Sequence, residues 1–112
     1  MSAPFSLVEE LASSAQEYSQ GLKHYHQATA KLTLTKRLLE AAKTKHLCEG
    51  VEGKNQAERD AKLERLLIEE ITAVEFLEDE QAIAKLGLEQ ARLAWDLARY
   101  KVRALETMKE VA

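Results

Sequence analysis

At 112 residues the chain is long enough for one domain with a modest core. Charged residues make up 31% and hydrophobic ones 46%, and alanine, leucine, glutamate and lysine prevail; this is the composition of long helices and coiled coils and argues against a sheet protein. Sixteen basic residues against nineteen acidic ones leave a net charge of −3, which argues against a general binder of nucleic acid or of anionic membranes.

The only proline, Pro4, stands at the very start, so nothing from Phe5 onward forbids a helix. Ser6-Leu7-Val8-Glu9 fits a capping box, in which the serine hydroxyl accepts from the Glu9 amide and the glutamate reaches back. Apolar or small residues then recur at Leu11, Ala15, Tyr18, Leu22, Tyr25, Thr29, Leu32 and Leu39, mostly in steps of three and four. That is one helix face, and it predicts a first helix over about residues 7–47. Gly21 interrupts helix propensity at a cost of ~1 kcal/mol, so it marks a weak point or a close contact.

Residues 49–55, Glu-Gly-Val-Glu-Gly-Lys-Asn, read as a turn. Gly50 suits the left-handed residue that ends a helix. Asn55 suits the N-cap of the next one, with Glu58 three residues on.

The second helix is predicted over about residues 56–110. Val74, Leu77, Gln81, Ala84, Leu88, Ala91, Trp95, Ala98, Val102 and Leu105 alternate threes and fours without a slip, a seam of period 3.5. A second stripe runs through Leu86, Leu93, Leu97, Tyr100, Ala104 and Met108, which suits a helix with two neighbours. Between the turn and the seam, Leu63 to Leu77 is apolar on most sides and is expected to be the most buried part. Thr72-Ala73-Val74-Glu75 offers a capping box there. A continuous or mildly kinked helix near Ile71 is preferred over a break into three helices.

Charge favours an antiparallel hairpin. Residues 31–46 carry five bases against Glu40, and residues 64–80 carry seven acids against Arg65. Surface pairs stabilise by only ~0.3–0.5 kcal/mol each, but they select orientation. A turn at 50–54 pairs residue i with about residue 103 − i, so Ser6 falls near Leu97 and the last ~15 residues overhang the first helix by ~20 Å. Val102, Leu105 and Met108 keep an apolar pattern on that overhang, which calls for a second chain. The predicted interface is therefore Leu93, Leu97, Tyr100, Val102, Leu105 and Met108. The partner is a second copy, a dimer ahead of higher stoichiometries, or another helical protein.

Few residues invite chemistry. The glycines at 50 and 53 are too close for a phosphate loop, Lys54 is followed by asparagine, and Glu49, Glu52 and Glu58 repel phosphate. His24 and His26 are two apart and diverge on a helix, so they do not pair as metal ligands. Cys48 is the only cysteine; it cannot form an internal disulfide, and no histidine–acid relay accompanies it. Trp95 lies on the seam and reads as core; Arg92, Arg99, Lys101, Arg103 and Lys109 read as a solvated face or as partners of Glu9 and Glu10. No catalytic residue, cofactor or metal is expected. With no basic-then-apolar leader and no apolar run near ~20 residues, the expectation is a soluble cytoplasmic protein that does not enter membranes.

The run Gly53-Lys54-Asn55-Gln56-Ala57-Glu58-Arg59 resembles the turn of small all-helical proteins encoded by tailed bacteriophages and prophages, and the likeness extends over about residues 30–105. The resemblance implies a protein without catalytic assignment, in some cases encoded near recombination genes, and it carries over no functional residue. The expectation is thus an all-α, elongated antiparallel helical hairpin in a single domain, completing a bundle by self-association. Its expected role is that of a non-enzymatic interaction or scaffold protein. The alternative is an accessory protein of phage recombination or replication that binds nucleic acid through its basic C-terminal helix, with the salt dependence that follows.

Overall fold

The computed structural model describes residues 3–111, which form three helices and no strand. They are α1 (Ala3–Glu49), α2 (Gln56–Leu66) and α3 (Ile68–Val111). The protein is an all-α helical hairpin. α1 begins upstream of Ser6, so the Ser6–Glu9 capping box expected at the helix start lies inside the helix instead.

The chain packs as two compact units, and α1 and α3 contribute to both. One joins residues up to His26 with those from Ile83 onward. There, Tyr18 meets Trp95, Lys101 meets Glu10, and a Cβ built on Gly21 lies 3.5 Å from the Leu88 Cα and 3.9 Å from the Ala91 Cβ. The other unit is Gln27–Ala82, where Gln81 Nε2 donates to Thr29 Oγ1 at 3.0 Å. In each, α1 and α3 run antiparallel.

The seam predicted on α3 is present in full: its ten residues from Val74 to Leu105 are buried or half-buried. On α1 the covered face is broader than the apolar residues alone suggest. It repeats without a slip at Leu7, Leu11, Ser14, Tyr18, Gly21, Tyr25, Ala28, Leu32, Thr35, Leu39, Ala42 and His46. Every second member of that series is small from Ser14 onward, and on α3 the same holds at Ala84, Ala91 and Ala98. These small residues are among the most buried, with Ala98 at 1% and Ala84 at 3% exposure. The helices therefore meet backbone to backbone, as the Gly21–Leu88 approach requires. Ser14, the buried polar member, donates its hydroxyl to the Leu11 carbonyl at 3.1 Å and so leaves nothing unsatisfied.

Two sets of expectations are corrected, the first concerning the segment around Leu67. The second helix is interrupted at Leu67, not near Ile71. The Leu67 amide is shared between the Leu63 carbonyl (3.1 Å) and the Glu64 carbonyl (3.2 Å), and Ile71 still donates to Leu67 at 2.9 Å. The break is thus a local tightening of one turn, and Leu67 itself is buried. Nor is the segment around it buried on all sides, because Leu66, Ile68 and Phe76 are exposed.

The second correction concerns register. Residue i meets about residue 111 − i, as Glu10–Lys101, Gly21–Leu88 and Thr29–Gln81 show, and not 103 − i. The reason is α2, which buries none of its residues. An open groove of about 420 Å³ lies where α2 faces α1, lined by Leu39, Lys43, Asp60, Leu63 and Leu67 among others. Its residues use up chain before α1 and α3 dock at Leu67. The ~20 Å overhang therefore does not form: Val102 and Leu105 lie level with the start of α1 and are half-buried.

Two measurements check this packing. Gly21→Ala adds a methyl group at ordinary contact distance, so it should stabilise the chain by ~0.5–1 kcal/mol in urea titration, whereas Gly21→Leu should destabilise it by ~1–3 kcal/mol by forcing the backbones apart. Leu105→Asp should lower the thermal midpoint by several degrees, roughly 1–3 kcal/mol of stability. An unchanged midpoint would restore the overhang.

Candidate functional site

Residues 50–59 are occupied in holding themselves together. Gly50 takes φ 89°, where a side chain is strained, and its amide closes on the Leu47 carbonyl at 3.3 Å. Asn55 is extended and its side-chain oxygen accepts from the Glu58 amide at 2.9 Å. Glu58 reaches back to accept from the Lys54 amide at 2.8 Å, and the Arg59 guanidinium donates to the Gly53 carbonyl at 3.3 Å. Gly53 has no room for a Cβ, which would lie 2.9 Å from the Arg59 backbone nitrogen. Two amides that an anion would need are thus already paired with side-chain oxygens of the loop. The segment is a stop, a loop and a start.

Among the described residues no three His, Cys, Asp or Glu side chains gather as a metal site. His24 and His26 are exposed, and His26 stacks obliquely beside Tyr25, with ring centroids 5.9 Å apart. Cys48 is exposed and unpaired.

Trp95 is half-buried on the seam, edge-on to Tyr18 with centroids 5.2 Å apart. The Arg99 guanidinium lies 4.0 Å from the centroid of the indole and is also paired with Asp96. Lys101 Nζ is 2.9 Å from Glu10 Oε1. Two cations of the basic C-terminal helix are therefore engaged within the chain. A shallow groove of about 280 Å³ runs beside Trp95 along Ala15, Tyr18, Ser19 and Leu22.

The six residues predicted as an interface divide into two sets. Val102 and Leu105 belong to the seam and are half-buried within the chain. Leu93, Leu97, Tyr100 and Met108 are exposed at 68%, 53%, 70% and 67%. Heptad geometry puts Leu93, Leu97 and Tyr100 on the side of α3 away from α1. Leu86 and Ile83 continue this outer face and are also exposed. Ile83 was outside the predicted stripe, although its spacing of three from Leu86 places it there. The outward side of α1 in the same unit is polar, with Glu9, Gln16, Gln20 and Lys23 exposed. Within this unit it is α3, and not α1, that carries large apolar residues on two opposite faces.

No family model matches the chain, and comparison with curated proteins and with solved structures gives no significant match. Among the described residues, no helix is long and apolar enough to cross a membrane.

Asn55→Ala should cost ~1 kcal/mol through loss of the α2 cap, and Gly53→Ala should cost a similar amount by displacing Arg59. Urea midpoints of the two variants against the parent check both values.

Proposed function

We propose that this protein is a non-enzymatic helical interaction or scaffold protein that works by lending the outer face of α3 to another helix, in coiled-coil fashion. The observation that carries the reading is the series of exposed large apolar residues Ile83, Leu86, Leu93, Leu97 and Tyr100, interrupted only by Gln90, on a helix whose opposite face is already covered. A monomeric surface gains nothing from such a series, whereas an interface does. The grooves beside it are open and lined by apolar side chains, which suits helix packing better than enclosure of a reacting group. The Gly53–Arg59 turn supports a phage or prophage origin, and the lone exposed Cys48 suits the reducing cytoplasm. The nucleic-acid reading is weaker, since Arg99 and Lys101 already spend their charge on Asp96 and Glu10.

The test is made in the cells that carry the protein. The parent chain should migrate in a complex well above its own 12.6 kDa. The double variant Leu93→Asp, Leu97→Asp should run as a free chain of unchanged helicity, because both side chains are exposed within the hairpin. A parent that migrates alone, or a complex that the double variant leaves intact, overturns the reading.

A further inference from the structure

The outer face of α3 repeats at Ile83, Leu86, Gln90, Leu93, Leu97, Tyr100 and Ala104, in alternating steps of three and four, all within one compact unit. That is the spacing of a coiled-coil seam. We propose that a second copy of this chain covers it, with the two α3 helices antiparallel about a two-fold axis level with Trp95. This inference rests on the reading of the α3 outer face as an interface and adds what fills it and in which direction.

The sequence of the face is self-complementary in that direction. With residue i opposite about residue 190 − i of the second copy, Leu93 meets Leu97 twice around the axis. Leu86 then meets Ala104, large against small, and Gln90 meets Tyr100, an amide beside a hydroxyl.

Charge selects the same orientation. The acids Glu89 and Asp96 and the base Arg103 line one border of the face. Lys101, with the small residues Gly87 and Ala94, lines the other. Asp96 and Lys101 are already paired within the chain, with Arg99 and Glu10. Glu89 and Arg103 have no ion-pair partner among the described residues. The antiparallel alignment brings Glu89 of each copy opposite Arg103 of the other, and it sets the two Asp96 carboxylates, each neutralised by its own Arg99, level with one another at the axis. A parallel alignment leaves Glu89 beside Ala94 and Arg103 beside Met108, so both charges stay unanswered.

The area suffices for a reversible dimer. At roughly 100 Å² for each large side chain so exposed, Ile83, Leu86, Leu93, Leu97 and Tyr100 bury ~500 Å² per copy, or ~1,000 Å² in all, the size of a weak, reversible interface. Two-fold pairing uses the face on both copies, so assembly stops at two.

Directed disulfides test the proposal. In full-length Cys48→Ser protein, Leu86→Cys and Ala104→Cys are made as separate single-cysteine chains. Antiparallel pairing puts residue 86 of one copy within bonding reach of residue 104 of the other, and puts like residues 86 and 86 ~27 Å apart. Oxidation of the mixture should give the 86–104 linked pair at least ~10-fold more than either chain oxidised alone gives its own dimer. A linked dimer formed as readily by Leu86→Cys alone overturns the antiparallel arrangement. A parent chain that sediments as a monomer at high micromolar concentration overturns self-pairing altogether. In that case the interface reading still stands or falls on its cellular test, where another helical protein would be the occupant.

Discussion

The close approach of α1 and α3 is the constraint on which the rest of the structure depends. A small residue at every seventh position of α1, from Ser14 through Gly21, Ala28 and Thr35 to Ala42, makes a shallow groove, and Ala84, Ala91 and Ala98 do the same on α3. Backbones can then come near enough for Leu88 to sit against Gly21. Most large residues of the seam are only half-covered; Leu32 and Val74 are the buried exceptions. Among the described residues no large side chain is fully buried. Trp95 illustrates the result: Tyr18 covers one edge, and Arg99 rather than a third helix covers a face. A core so thin leaves the outer side of α3 with nothing to pack on inside its own chain.

Register depends on a longer-range property. The basic block at residues 31–46 and the acidic block at 64–80 coincide almost end to end when residue i faces about residue 111 − i, as it does at Thr29 and Gln81. The ion pairs found do not link the two blocks; they are Glu52–Lys62, Asp96–Arg99 and Glu10–Lys101. The blocks act as opposed fields over several turns and not as a ladder of bonds, which fits the small energy of each exposed pair.

Much of this was legible in the sequence, and the misses have physical causes. The α3 seam, the turn at residues 49–55 and the all-helical class follow from periodicity and capping chemistry that act over a few residues. The α1 face is only partly legible in the sequence, because Ser14, Gly21 and Ala42 carry little hydropathy and fit it by their small size. A register counted from the turn requires the second helix to pack closely from its first residue, whereas α2 buries none of its residues. Full alignment of the two charge blocks, a property of the whole hairpin and not of its loop, matches the observed register. The interruption at Leu67 leaves no proline or glycine signal, since it is a shared hydrogen bond that any residue can make. For the candidate site, the outer stripe was visible in spacing, but the fate of Val102 and Leu105 depended on the register.

The register difference, about eight residues, is close to one heptad. A hairpin slipped by seven residues would still set Ser14 and Gly21 against alanines, Ala91 and Ala84, although Ala28 and Ala98 would then meet Leu77 and Leu7. What further separates the two registers is Trp95 finding Tyr18, and the two charge blocks overlapping in full. Turn closure is local and fast, while those distant matches form late. With none of its residues buried, α2 anchors the turn end of the hairpin far less firmly than the seam anchors α1 against α3.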